Sequence, residues 1–149
     1  MADKKLVTVI TAVYNKEKYL QEWAESLAKQ TFLDKTEILV INDGSTDNSV
    51  KLIKKFTKKY NLPINLVHNE KNIGYLYTLI KSFRMLKTKY FALLDPDDYY
   101  ISPKKLENAV NFLEAHEDYS VYAMNYYFYH EKTKENVPLA PPQFFLYDV

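Results

Sequence analysis

Short apolar runs alternating with amphipathic stretches, with no linker or low-complexity tract before about Lys132, constrain this chain more than any other feature. Leu6 to Thr11, Glu37 to Ile41, Ile64 to Val67 and Tyr90 to Leu94 are short and rich in β-branched or aromatic residues, so each reads as a strand. Between them Tyr19, Leu20, Trp23 and Leu27 recur at helical spacing, as do Val50, Ile53 and Phe56, and then Leu76, Leu79, Ile80, Phe83 and Leu86. Strands separated by helices stack as a sheet covered on its faces, so the predicted class is α/β with a mainly parallel central sheet. A further helix burying Leu106, Ala109, Val110 and Leu113 is expected to open with Ser102 as N-cap and Pro103 in its first turn. Val121 to Tyr129 reads as a fifth strand. The last segment, NVPLAPPQFFLYDV, has three prolines and no period, as expected of an extended arm or of the start of a further part.

Composition removes several functions. The chain of 149 residues, 47% hydrophobic and 26% charged, suits one globular domain. A net charge of +1 gives no large field of either sign, so no nucleic-acid partner is expected. With no cysteine there is no disulfide framework, thiolate metal site or thiol nucleophile, and a reducing cytoplasm fits. The apolar opening is too short to span a membrane and lacks a cleavage pattern, so neither a transmembrane segment nor a signal is expected. Fourteen tyrosines beside two glycines supply flat faces with polar edges that suit bases and sugars, although biased genome composition accounts for them as well.

Ligands of open parallel α/β sheets bind outside the carboxyl ends of the strands, and the unusual polar residues fall there. Tyr14 and Asn15 follow the first strand, Asn42-Asp43-Gly44-Ser45 the second, and Asp95-Pro96-Asp97-Asp98 the fourth. Three carboxylates within four residues repel one another unless a cation or donors compensate, and hard oxygen ligands suit Mg²⁺ or Mn²⁺. The plainer reading is a solvated acidic turn. NDGSTD is in part a turn and helix cap, with Gly44 at positive φ. Asp43, at the strand tip, remains to accept from a uracil imide or a ribose hydroxyl. Tyr14 could flank a base or pack at an edge. Asn72 and Gly74 open a helix whose free N–H groups favour anions, though a plain cap explains them too. Lys81 and Arg84 on that helix could aid a phosphate, although solvated surface charge is the commoner reason for such residues, and His68, His116 and His130 carry no role.

In this order, VTVITAVYN, ILVINDGSTDNS, NEKNIG and FALLDPDDYYISPKKL resemble the motifs of family-2 glycosyltransferases of the GT-A fold, which transfer a sugar from a nucleoside diphosphate with inversion. The likeness covers roughly residues 5 to 130. It implies a Rossmann-like three-layer sandwich, truncated at its C-terminal acceptor part. Residues 1–131 would form the nucleotide-sugar-binding domain, and 132–149 an extended segment beginning the acceptor-binding part. It further implies that Ala12, Tyr14, Asp43, Asn72, Gly74, Asp95 and Asp97 bind the nucleotide, with Asp43 towards the base. Asp97 and Asp98 would hold Mn²⁺ or Mg²⁺. The implied donor is a UDP-sugar, the acceptor a saccharide or lipid-linked saccharide, and the setting a cytoplasmic enzyme of bacterial polysaccharide synthesis near the inner membrane.

Two departures qualify the resemblance. The family often follows its Asn-x-Gly with an Ala-Arg-Asn-like triplet, whereas this chain has YLYTLIKSF without the arginine. The family's general base belongs to a later segment, expected beyond Val149, so no catalytic residue is assigned. Competing readings are a non-catalytic nucleotide-binding or interaction module, a receiver-like signalling domain and a dinucleotide-binding oxidoreductase. A receiver would gather acids after the first strand, where Tyr14 and Asn15 stand, and two glycines cannot make a Gly-x-Gly-x-x-Gly turn.

Overall fold

The computed structural model describes residues 4–123, 126–130 and 132–138. β1 (Val7–Val13), β2 (Thr36–Asp43), β3 (Ile64–Asn69) and β4 (Tyr90–Leu93) form one parallel sheet in the order β3-β2-β1-β4. The second predicted run extends further than the apolar pattern suggests, because β2 continues through Asn42 to Asp43 paired with His68 and Asn69. Ladder bonding thus carries polar residues to the carboxyl tips. β1 and β2 are buried along almost their whole length, which is why they read as near-continuous apolar runs.

α1 (Leu20–Ala28) and α2 (Ser49–Tyr60) pack against each other, and their inward residues Leu20, Trp23, Leu27, Ile53 and Phe56 meet Val9, Val13, Ile38 and Val40 in the core. Trp23 is fully buried, and its Nε1–H donates to Thr11 Oγ1 at 3.2 Å while the Thr11 hydroxyl donates to the Leu94 carbonyl at 2.8 Å. This chain of bonds fixes α1 against β1 and sets the end of β4, from which the acidic loop departs. The chain moves from β1 outward to β3, then crosses back to place β4 on the other side of β1. The switch in direction therefore lies between β1 and β4.

α3 (Tyr75–Phe83) contacts β1 and β2 and corrects the sequence expectation of its orientation. Its buried residues are Thr78 and Ser82, whereas Leu76, Ile80 and Phe83 of the apolar stripe are exposed, Leu76 by 66%. Thr78 is drawn inward by the polar group at the tips of β2 and β3, where Asn69 Nδ2 donates to its hydroxyl at 3.2 Å. The stripe instead lies beside β4, an edge strand, where Phe83 and Phe91 meet edge to face at 5.2 Å and Phe91 and Leu93 are exposed. α3 also stops before Leu86.

Two further expectations change. α4 (Lys105–Ala115) buries Leu106 and Val110 as predicted, but Lys104 is its N-cap and no side chain caps it. Ser102 Oγ only accepts from the Lys104 N–H at 3.3 Å, and Pro103 precedes the helix in a turn. The expected fifth strand is shorter and leaves the main sheet. Tyr127–His130 (β5) pairs antiparallel with Glu135–Pro138 (β6) as a separate hairpin, and the β5 side chains are all exposed. Outside the described residues lie Met124 and Asn125 of that expected strand and the terminal segment from residue 139 onward.

Candidate functional site

The loops at the carboxyl edge of the sheet are held by one another. After β1 the backbone turns at Asn15, with φ 51°, and the Asn15 Oδ1 accepts from the Thr46 and Asp47 N–H groups at 2.8 and 3.3 Å. Ser45 Oγ accepts from the Asn15 N–H, Ser49 Oγ from the Lys16 N–H, and Asp47 Oδ2 from the Glu17 N–H. GSTDNS is thus a latch that fixes the path of residues 15 to 17, beyond its service as a turn. Gly44 makes the next crossing. At φ +71° its added Cβ would lie 2.6 Å from the Asn72 nitrogen, so the third loop passes over a place where no side chain fits.

Asp43 is buried and already well bonded. Its Oδ1 accepts from Asn69 Nδ2 at 2.8 Å and from the Ile73 N–H at 3.0 Å, and its Oδ2 from the Gly74 N–H at 3.0 Å. Burial pushes this carboxyl's pKa up, but the donors from Asn69, Ile73, Gly74 and Thr78 outweigh it and hold it below the usual aspartate range. An ionised carboxylate has about four acceptor directions, and four donors already face this one, so little of it is left for a ligand. Asp43 organises the third loop first and meets a ligand second.

The acidic loop after β4 is the opposite case. Asp95 Oδ1 accepts from the Tyr75 hydroxyl at 3.0 Å, and the Lys16 ammonium rests on Asp97 Oδ2 at 2.5 Å. Desolvation, and next the charges of Asp95 and Asp97, hold the Asp98 carboxyl above its ordinary range, with Lys16 opposing them. Desolvation and the bond to Asp95 likewise push the Tyr75 hydroxyl up to about 12, so it remains a donor at neutral pH. Among the described residues, no three His, Cys, Asp or Glu side chains form a ready-made metal cage. The arrangement nonetheless fits a hard divalent ion of the kind held by one or two carboxylates and completed by ligand oxygens. Its oxygens are under-compensated, and one already attracts a cation.

Ala12, Tyr14, Asp43, Asn72, Gly74, Asp95 and Asp97 all line one cleft of about 440 Å³ at the switch point. Its size falls within the usual range for small-molecule sites. Asp98 lines instead an adjoining larger groove, together with Asp97, Tyr99 and residues of the β5–β6 hairpin. The Lys81 ammonium donates to Asn69 Oδ1 at 2.6 Å, and neither Lys81 nor Arg84 lines the cleft. Lys16 and Tyr75 do line it, and sequence reasoning missed both. Their signal was adjacency alone: Lys16 follows Asn15 and Tyr75 follows Gly74.

A parallel sheet flanked by helices, with a ligand-sized cleft between its first, second and fourth strand tips, defines an open α/β domain whose binding edge lies at the switch point. The chain belongs to glycosyl transferase family 2, which matches residues 8–148. It is 32% identical over 133 residues to an uncharacterized glycosyltransferase of Mycoplasma pneumoniae, covering 87% of this chain and 42% of that protein. It is 31% identical over 132 residues to the minor teichoic acid biosynthesis protein GgaB of Bacillus subtilis, covering 87% of this chain and 14% of that protein. S. aureus TarS, solved in complex with UDP, superposes with a TM-score of 0.69 at 30% identity, over 75% of this chain and 33% of TarS. The mannosyltransferase PcManGT from Pyrobaculum calidifontis, solved with GDP-Man and Mn²⁺, gives 0.68 at 25% identity, over 74% of this chain and 33% of that one. These structures are GT-A glycosyltransferases, and the fold here is theirs. The chain spans less than half the length of these relatives. Among the described residues no helix is long and apolar enough to cross a membrane.

Proposed function

We propose that this chain is the donor-binding part of an inverting glycosyltransferase, taking a nucleoside-diphosphate sugar, with UDP as the preferred carrier, together with Mn²⁺ or Mg²⁺. The observation that carries the reading is the single cleft at the switch point that gathers Asp43, Asp95 and Asp97 with Tyr14 and Gly74. Tyr14, 45% exposed at the cleft rim, offers a ring face to a base. Asp43 holds the Ile73–Gly74 turn in place and so shapes the wall of the cleft beside the nucleoside. Tyr75 orients Asp95 towards the ribose side, and Asp97 is the carboxylate placed to hold the metal, with Asp98 beside it. Once bound, the ion supplies neutralisation of the charge that builds on the departing diphosphate. Support for UDP comes from TarS, solved with UDP and at similar resemblance with UDP-GlcNAc, and support for a divalent ion from PcManGT.

Residues 1–131 constitute the donor-binding domain in this reading, and 132–149 lead into the acceptor-binding part, which supplies the general base. The hairpin formed by Tyr127–His130 and Glu135–Pro138 bridges that boundary. The acceptor is a saccharide or lipid-linked saccharide of a surface polymer, a class supported by the name of GgaB, and the enzyme acts in the cytoplasm beside the membrane. Calorimetric titration of UDP with and without Mn²⁺ tests the proposal: binding is expected to require the metal in the native chain and to lose that requirement's benefit in Asp97→Ala. A folded protein that binds no UDP under either condition contradicts it, and an Asp97→Ala variant with native metal-linked affinity removes Asp97 from the metal site.

A further inference from the structure

Three carboxylates, Asp43, Asp95 and Asp97, line the cleft, and among its described lining residues Lys16 is the one base. A diphosphate entering such a cleft meets net negative charge, so cations must be brought to it or freed within it. Lys16 is built to be freed. Its backbone is fixed, because its N–H donates to Ser49 Oγ at 2.9 Å and its neighbours Asn15 and Glu17 are bonded to Ser45 and Asp47. Its side chain is not: it is about one-third exposed, its ammonium lies 5.6 Å from the Tyr19 ring centre, and among the described residues Asp97 is its one ion-pair partner. A pair this exposed is held by only about 1 kcal/mol or less, so a competitor for the carboxylate displaces it. The four-carbon arm then swings from a fixed root beside the cleft floor.

We infer that Lys16 is a diphosphate ligand held in reserve on Asp97. It guards the carboxylate as a resident cation when the cleft is vacant, and it turns to the nucleotide's phosphate oxygens when a divalent ion takes Asp97. Resting on the donor-binding reading above, the inference adds a phosphate ligand and a coupling rule. Metal alone competes with Lys16 and binds weakly; metal and diphosphate together satisfy both Asp97 and Lys16, so each strengthens the other. This places a cation on the phosphates from the first loop, in a chain whose α3 carries the apolar Leu79 and Ile80 in its second turn.

The test uses the 149-residue chain as wild type, Lys16→Gln and Lys16→Arg, titrated with Mn²⁺ alone, with UDP at saturating Mn²⁺, and with uridine. Lys16→Gln is expected to bind Mn²⁺ alone about threefold more tightly, since its rival is gone. The same variant is expected to bind UDP about tenfold more weakly, for want of a charge-assisted contact. Uridine affinity stays at the wild-type value, and Lys16→Arg recovers most of the UDP affinity. Wild-type affinities for both Mn²⁺ and UDP in Lys16→Gln overturn the inference while leaving the donor site standing. An equal loss of uridine binding also overturns it, since the effect is then on the loop and not on the phosphates. Absence of UDP binding in the wild type brings down the donor reading and this inference with it.

Discussion

Two aspartate loops meet at the same edge of the sheet and are treated in opposite ways. The loop after β2 surrounds Asp43 with donors from Asn69, Ile73 and Gly74 and buries it, and its carboxyl is held below the usual range. The loop after β4 leaves three acids in one turn with a single tyrosine hydroxyl and a single lysine between them, and Asp98 is held above its usual range. Equal formal charge therefore has unequal meaning. A saturated carboxylate builds the loop that shapes the cleft, whereas an under-compensated one is available to a cation.

The comparison breaks most visibly at Asp43. Asp43→Asn turns an amide N–H₂ toward groups that are themselves donors, and we expect a loss of about 3 kcal/mol in denaturant unfolding. A loss under about 1 kcal/mol would place the organising bonds elsewhere. Acid titration of stability sharpens the same point. Burial opposes ionisation of both Asp43 and Asp47, yet hydrogen bonds win at each and depress their folded pKa values. Their stabilisation is complete above the unfolded value of about 3.9 and drains away as pH falls through the lower folded values. Part of that acid sensitivity should vanish in Asp43→Asn, as followed by melting temperature against pH.

Effects in the second loop are smaller. Tyr75→Phe removes the hydroxyl that donates to Asp95, and UDP affinity is expected to fall by roughly fivefold, about 1 kcal/mol, with little change in melting temperature. Unchanged affinity would make Tyr75 a bystander at the rim. Asp98→Asn removes a charge that is partly desolvated and repelled by Asp95 and Asp97, so it should raise stability, by less than about 0.5 kcal/mol after solvent screening. A destabilised Asp98→Asn would show that its charge is compensated after all.

Much of the first loop's character was legible along the chain. The alternation of the runs Leu6 to Thr11 and Glu37 to Ile41 with helical spacing pointed to the parallel sheet, and the placement of polar residues at strand ends pointed to the ligand edge. Partnerships across distance were not legible. Lys16 meets Asp97 across 81 positions and Tyr75 meets Asp95 across 20, and no local pattern encodes such pairs. Asp43 looked like a free acceptor because Asn69 and the Ile73 N–H lie 26 and 30 residues on. The period of α3 was sound, but period alone does not say which face turns inward. There the polar cluster of Asp43, Asn69 and Thr78 outcompeted the apolar stripe. The tyrosine run after Val121 suggested a strand by propensity, yet its pairing with Glu135–Pro138 depends on a partner that composition does not reveal.

A crystal of the chain grown with UDP and Mn²⁺ tests the central claim most directly. The account predicts the uracil against Tyr14 near Asp43, the diphosphate towards Lys16, and an anomalous manganese peak in contact with Asp97. Nucleotide bound away from this cleft, or manganese coordinated without any carboxylate of residues 95–98, would contradict it.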